Sequence, residues 1–442
     1  MRIAVAGTGY VGLITGVCLA EMGHHVVCTD IREEKIQLLK TGRSPIFEPG
    51  LEPMLKQNLS NGRLDFTANP KTAYKDADII YIAVGTPENE DGTANLDYIH
   101  AAAYTIGVSI EKDVIVCTKS TVPVGTNEKI KEIIQSVNPP PLQAEVVSNP
   151  EFLREGSGII DFFNGDRIVI GTESREAAAI MEKIYLPLKI PIMKTDTRSA
   201  EMIKYASNAY LATKISFINE IAEICEKVGA NIEEVAYGIG QDKRIGPHFL
   251  QTGIGYGGSC FPKDTKALVQ IAGNVKHKFE LLESVIKVNN RQQALAVLKA
   301  KEIVGSLKGK RVALLGLAFK PDTDDTREAA SLAIVKALLE EDANIIAFDP
   351  AAIPNARKVF GNTIEFTMDI NLAIEDADIA IIATEWDHIK HFPLERYTER
   401  MKSAIIIDGR NCYSLQDISK HPITYFSIGR PAIIDQPKRI KN

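Results

Sequence analysis

The chain has 442 residues, 45% of them hydrophobic and 24% charged, enough to bury two or three cores, since a single core rarely grows past about 250 residues. A formal charge of −6 supplies no overall basic field and excludes nucleic acid or an anionic membrane as a general partner. The six cysteines, Cys18, Cys28, Cys117, Cys225, Cys260 and Cys412, lie far apart with no CxxC, which argues against a disulfide framework or a metal site and for a reducing compartment.

The first residues, MRIAVAG, read directly as a strand, without the basic region and long apolar stretch of a signal peptide. No run approaches the roughly 18 apolar residues of a membrane span, so a cytoplasmic protein is expected. Short apolar runs then alternate with amphipathic ones: RIAVAG (2–7), HVVCTD (25–30), DIIYIAVGTP (78–87), DVIVCTKSTVP (113–123) and AEVVSNPEFL (144–153). This alternation predicts a parallel sheet covered on both faces. After Pro191 neither glycine nor proline occurs until Gly229, which predicts one helix of roughly 30 residues, about 45 Å long.

The last third repeats the grammar of the first. KRVALLGLAFKP (310–321) echoes RIAVAGTGYVG, AFDP (347–350) echoes CTD, EDADIAIIAT (375–384) matches KDADIIYIAV (75–84), and AIIIDGRN (404–411) supplies a final strand. The expected fold class is α/β, with two doubly wound Rossmann-like domains joined by a long central helix. The expected boundaries are 1–195, a central helical region at 196–300 and 301–442. Ligands of such sheets bind at the carboxyl ends of the strands.

GTGYVG at 7–12 follows the first strand directly and opens a helical segment. Gly7 makes the tight turn, Gly9 admits a pyrophosphate to the backbone, and Gly12 lets helix and strand pack closely. Asp30 ends the second strand, where a carboxylate accepts from ribose hydroxyls and repels a 2′-phosphate. NAD is therefore expected rather than NADP, with Arg32 and Lys35 nearby.

In GIGYGGSCFPKD (253–264) Cys260 stands behind Gly253, Gly255, Gly257 and Gly258 and just before Lys263 and Asp264. Glycines let backbone approach a substrate, and charge near a thiol suits a nucleophile better than an inert structural cysteine. A dehydrogenase needs such a thiol when an aldehyde must be captured and oxidised again, which takes a primary alcohol to a carboxylate through four electrons. Lys204 and Asn208, spaced i, i+4, share one helix face; they read either as a pair projecting into a cleft or as a solvated face. Glu151, in NPEFLREG, reads either as an activator of water or as a helix-initiating acid.

GTGYVG with Asp30, STVPVGT (120–126), NPEFLREG (149–156), KYASNAY (204–210), GIGYGGSCFPKD and GLAFKPDTDDTRE (316–328) occur in order along nearly the whole chain. Together they resemble the UDP-glucose/GDP-mannose dehydrogenase family. The resemblance implies an NAD-binding N-terminal domain, a connecting helix that forms a homodimer interface, and a C-terminal domain that binds the UDP moiety. The implied reaction is oxidation of UDP-glucose to UDP-glucuronate with two NAD and one water. It assigns Cys260 as nucleophile, Glu151 as acid/base, Lys204 and Asn208 as oxyanion and substrate contacts, and Thr121 and Asp264 as holders of water.

Implied cofactor contacts are Gly7, Thr8, Gly9, Tyr10, Val11, Gly12, Asp30, Lys35, Thr86, Thr121, Glu155, Lys263 and Arg327. Implied substrate contacts are Glu151, Phe152, Leu153, Arg154 and Glu155, then Lys204, Asn208 and Arg244. They continue through Phe249, Leu250, Gln251, Gly253, Tyr256 and Gly257 to Phe319, Lys320 and Arg410, with Arg244 reaching a partner's site. The second lobe departs from the dinucleotide pattern, with Leu317 and Phe319 in place of glycines, which suits a mononucleotide sugar held by Lys320 and Arg410. Relatives that act on N-acetylated sugars tend to carry histidine where this chain has Ser259. The alternatives are a GDP-mannose or UDP-N-acetylhexosamine dehydrogenase and, from another class, a catalytically silent nucleotide-binding regulator.

Overall fold

The computed structural model describes residues 1–138 and 140–435. They form two compact units, residues 1–207 with 266–277, and residues 208–265 with 278 onward.

The first unit carries β1 (Arg2–Ala6), β2 (His25–Thr29), β3 (Leu64–Thr67), β4 (Ile79–Ile82), β5 (Val114–Thr118), β6 (Ala144–Ser148), β7 (Ile168–Gly171) and β8 (Ile192–Thr195). The sheet order is β3-β2-β1-β4-β5-β6-β7-β8. Every pairing is parallel except β6 with β7, which meet antiparallel at Ser148 and Gly171. Ile3 and Val5 join one core with Ile79 and Tyr81, whereas Ala4 and Ala6 join another with Ile80 and Ile82. The period-two alternation of side chains thus feeds two separate cores, as a sheet covered on both faces requires.

The second unit carries β9 (Arg311–Leu315), β10 (Asn344–Phe348), β11 (Glu365–Thr367), β12 (Ile379–Ile382), β13 (Ile405–Asp408) and β14 (Thr424–Ser427). Their order is β11-β10-β9-β12-β13-β14, all parallel. Reversal of strand order beside β1 and beside β9 creates one topological switch point in each unit, the place where such sheets bind ligands.

The helix expected after Pro191 runs Thr197–Val228, 32 residues. The division between the units falls inside it and inside the helix Phe261–Asn274. Among the described residues no helix is long and apolar enough to cross a membrane.

Candidate active site

At the switch point of the first unit, Gly7 adopts φ +95°, and a Cβ there would stand 2.7 Å from the Ala83 carbonyl oxygen. Gly9 precedes the helix Tyr10–Glu21, whose first turn has no side-chain cap. A Cβ on Gly9 would meet no described atom within 4 Å. The mouth therefore presents uncapped amides and open space, which fits a dinucleotide pyrophosphate. Asp30 accepts from the Thr8 hydroxyl (2.6 Å), the Thr8 amide (3.3 Å), the Lys35 ammonium (3.0 Å) and the Arg32 amide (3.1 Å). Burial pushes its carboxyl up, but these donors, led by the Thr8 hydroxyl, outweigh burial and bring it down to about 2. An acid so held stays ionised and ready to accept from ribose hydroxyls.

The same unit carries a buried ion pair. Lys204 Nζ lies 3.2 Å from Glu151 Oε1, with both side chains only 5% exposed. Glu151 Oε2 accepts from the Leu153 amide at 2.5 Å. Residues 151–154 form no helix, and the next one begins at Gly158, so Glu151 does not initiate one. The ring of Phe152 faces the Arg167 guanidinium at 3.6 Å and Lys204 Nζ at 5.4 Å. Nearby Lys119 is buried with its Nζ 5.6 Å from the Tyr185 ring. Burial pushes that amine below the ordinary lysine range, Glu151 draws it back up, and Lys204 adds to the lowering. Thr86 Oγ1 donates to the Thr121 carbonyl at 3.1 Å.

In the second unit Cys260 immediately precedes the helix Phe261–Asn274, whose N-terminal amides present positive partial charge to the sulfur. Of the other cysteines, burial pushes the Cys18, Cys28, Cys117 and Cys412 thiols far above their ordinary range, which leaves them inert. Cys260 is partly exposed, and Ser259 Oγ stands 3.5 Å from its Sγ. Asp264, almost fully buried, accepts from Asn208 Nδ2 at 2.6 Å and pairs with Lys263 Nζ at 2.5 Å. Lys204 and Asn208 are both buried, which removes the solvated-face reading of that spacing.

Other expected contacts divide the same way. In the first unit the Tyr10 hydroxyl donates to Glu48 (2.6 Å) and lies 2.9 Å from the Arg154 carbonyl. In the second, the Arg327 carbonyl accepts from the Gly258 amide at 2.9 Å, and a Cβ on Gly258 would meet the Phe319 ring at 2.7 Å. Lys320 Nζ lies 5.6 Å from that ring, and Arg410 donates to the Gly255 and Ala383 carbonyls. Leu250, Gly253, Tyr256 and Gly257 are buried, Gln251 is exposed, and Phe249 and Tyr256 both face the Phe261 ring. Three arginines expected at the ligand pair with carboxylates of their own unit: Arg154 with Asp161, Arg244 with Asp242 and Arg327 with Asp325.

Sequence reasoning missed several residues that shape these sites. Glu48 also accepts from the Gly156 amide at 2.7 Å, and buried Glu201, one turn before Lys204, accepts from the Gly125 and Asn127 amides. The signal for Glu201 was an acid on the face of the helix that Lys204 shares. Asp349 ends β10 as Asp30 ends β2, but it is fully buried. It accepts from the amides of Leu317 (2.7 Å), Ala318 (3.0 Å), Ala351 (2.8 Å) and Ala352 (2.6 Å) and from Trp386 Nε1 (3.1 Å).

Residues 1–189 match the NAD binding domain of the UDP-glucose/GDP-mannose dehydrogenase family, residues 198–291 its central domain and residues 313–415 its UDP binding domain. UDP-glucose 6-dehydrogenase YwqF of Bacillus subtilis (strain 168) is 56% identical over 434 residues, covering 98% of this chain and 99% of its own length. A UDP-glucose 6-dehydrogenase of Rhizobium meliloti (strain 1021) is 46% identical, covering 98% of this chain and all of its own. Among solved structures, a UDP-glucose dehydrogenase from the hyperthermophilic archaeon Pyrobaculum islandicum superposes with a TM-score of 0.91 at 37% identity, covering 97% of this chain and 98% of its own. A UDP-D-ManNAc dehydrogenase from Pyrococcus horikoshii gives 0.85 at 30%, covering 97% and 99%. With three domain matches in order, an open glycine cradle and a partly exposed cysteine at a helix head, this chain belongs to the UDP-glucose/GDP-mannose dehydrogenase family.

Proposed function

We propose that this chain is an NAD-dependent UDP-glucose 6-dehydrogenase that takes the C6 alcohol of UDP-glucose to the carboxylate of UDP-glucuronate. The observation that carries the reading is Cys260, partly exposed at a helix head four residues before buried Asp264, which Asn208 and Lys263 hold. Full-length similarity to relatives named for this activity supports the substrate.

NAD, when bound, accepts one hydride on each of two visits. In the first oxidation C6 releases a hydride and its hydroxyl releases a proton, which leaves an aldehyde. Cys260 Sγ adds to that carbon, forming a C–S bond while the carbonyl oxygen takes up a proton. The resulting thiohemiacetal still bears a hydrogen, and its departure as hydride, with loss of the hydroxyl proton, leaves a thioester. Water then adds, the C–S bond breaks, and the thiolate departs with the electron pair. In sum RCH2OH and H2O give RCOO⁻, two hydrides and three protons. Lys204 supplies positive charge to the oxyanions, Glu151 takes the proton of the hydrolytic water, Thr121 and Asp264 hold that water, and Asn208 binds the sugar oxygen.

We assign residues 1–195 to cofactor binding, 196–300 to the helical centre and 301–442 to the UDP-sugar. We also infer a homodimer. On the second-unit stretch of the long helix, Tyr210, Phe217 and Ile224 recur every seven residues and are 63%, 53% and 53% exposed, an apolar stripe that a second copy would cover. Arg244, in the second unit, would then serve the partner's site. The scattered cysteines, with no CxxC spacing among them, support a cytoplasmic setting.

Formation of two NADH per UDP-glucose tests the reading. One NADH with accumulating free aldehyde would overturn it, as would turnover of GDP-mannose or a UDP-N-acetylhexosamine in place of UDP-glucose. In the Cys260→Ser variant, acid release is lost while NAD still binds.

A further inference from the structure

Helix Glu280–Val304 buries Leu282, Val285, Asn289, Gln292, Ala296, Val297 and Ala300. Two amides thus sit in a stripe that is otherwise aliphatic. A buried amide costs stability unless it is hydrogen-bonded, so its partners show what it is for. Asn289 Oδ1 accepts from the Tyr256 amide at 2.8 Å, and Asn289 Nδ2 donates to the Tyr256 carbonyl at 3.0 Å. One side chain thereby closes both backbone groups of one residue, as a neighbouring strand would. Three residues on, Gln292 Nε2 donates to the Gly253 carbonyl at 2.8 Å, while Asn219 Oδ1 accepts from the Gly253 amide at 3.0 Å.

The same segment is fixed by the Ile254 amide to the Gly409 carbonyl (3.0 Å) and by Arg410 Nη1 to the Gly255 carbonyl (3.0 Å). The glycines make this grip feasible: Gly255 adopts φ +86°, and a Cβ there would stand 2.7 Å from Asn289 Oδ1. Glycine richness before Cys260 therefore does not mark a flexible loop. It marks backbone stripped of side chains so that buried amides can hold it.

We propose that Asn289 and Gln292 are positioning residues for the nucleophile, fixing the 253–258 segment so that Cys260 Sγ meets the carbon it attacks. The proposal rests on the reading of Cys260 as the nucleophile. Neither amide needs to touch substrate or cofactor. Holding the thiol in place matters twice per turnover, because the same sulfur must stay bonded through the second hydride loss.

The test uses the full-length protein with Asn289→Ala, Asn289→Asp and Gln292→Ala, each checked for folding by circular dichroism. It reads kcat, KM, NAD affinity, and the rate of Cys260 alkylation by iodoacetamide, located by mass spectrometry. In Asn289→Ala, kcat falls about a hundredfold, as expected for a reacting group displaced by about 1 Å, with NAD affinity unchanged and an altered alkylation rate. Asn289→Asp is the decisive variant. Its carboxylate accepts from the Tyr256 amide but repels the Tyr256 carbonyl, and only the protonated acid can donate there. Relative to the unaltered protein, its kcat and alkylation rate recover as pH falls. Folded variants that keep full kcat and alkylation at every pH would overturn the proposal, as would an Asn289→Asp deficit independent of pH. Normal turnover by fully alkylated or Cys260→Ala protein would instead overturn the nucleophile reading.

Discussion

Asn208 and Asp264 stand 56 residues apart in sequence, yet the amide Nδ2 of the first donates to the carboxylate of the second at 2.6 Å, in a site where Asp264 is 1% exposed. Lys263 holds the other carboxylate oxygen. Asp264→Asn removes a charge that two neighbours are arranged around. Unfolding in urea is expected to show a loss of about 3–5 kcal/mol, the range for breaking a buried ion pair, and kcat falls at least as far as a mispositioned group requires. A variant of unchanged stability would mean that Lys263 and Asn208 do not depend on this carboxylate.

Lys204→Met leaves Glu151 buried without its closest cation. The variant is expected to lose about 3–5 kcal/mol against the original protein, the range for breaking a buried ion pair. Urea unfolding of the two proteins checks this, and unchanged stability would contradict the buried pair.

Asp30 is the opposite case. Its folded pKa, about 2, lies below the ordinary carboxylate value of about 3.9. Its stabilising contribution is present above that ordinary value and is lost as pH falls toward about 2. Asp30→Asn should flatten the stability curve in that acid window. It should also weaken NAD about tenfold, the equivalent of one charge-assisted hydrogen bond, measured by fluorescence titration.

Phe217→Glu places a charge in the exposed stripe of the long helix. Light scattering should report a dimer for the original protein and a monomer for the variant at the same concentration, with circular dichroism unchanged. A variant still dimeric would move the interface elsewhere.

The sheet was legible where strands were buried on both faces. RIAVAG, HVVCTD and AEVVSNPEFL begin where β1, β2 and β6 begin, and KRVALLG covers β9. Edge and outer strands escaped notice: β3 (LDFT), β8 (IMKT) and β11 (EFT) are short and half polar, so they give neither an apolar run nor sustained alternation. Cys260, Asp30 and the Lys204–Asn208 spacing stood out because their chemistry is local to a motif. The grip of Asn289 and Gln292 did not, because nothing in VNNRQQ says which distant backbone an amide will hold. The same is true of Glu201, which closes the amides that lead the helix Thr126–Val137.

In the C-terminal lobe Asp349 accepts from the amides of both Leu317 and Ala318, a built-in anion at the turn after β9, whereas in the N-terminal lobe Asp30 accepts from the Thr8 amide and a Cβ on Gly9 would meet no described atom within 4 Å. A dinucleotide pyrophosphate approaching that turn after β9 would have to displace the Asp349 carboxylate. In the proposed reaction, both hydrides leave through the one cradle of the N-terminal lobe, and the tether of sulfur to carbon keeps the half-finished molecule in place between the two departures.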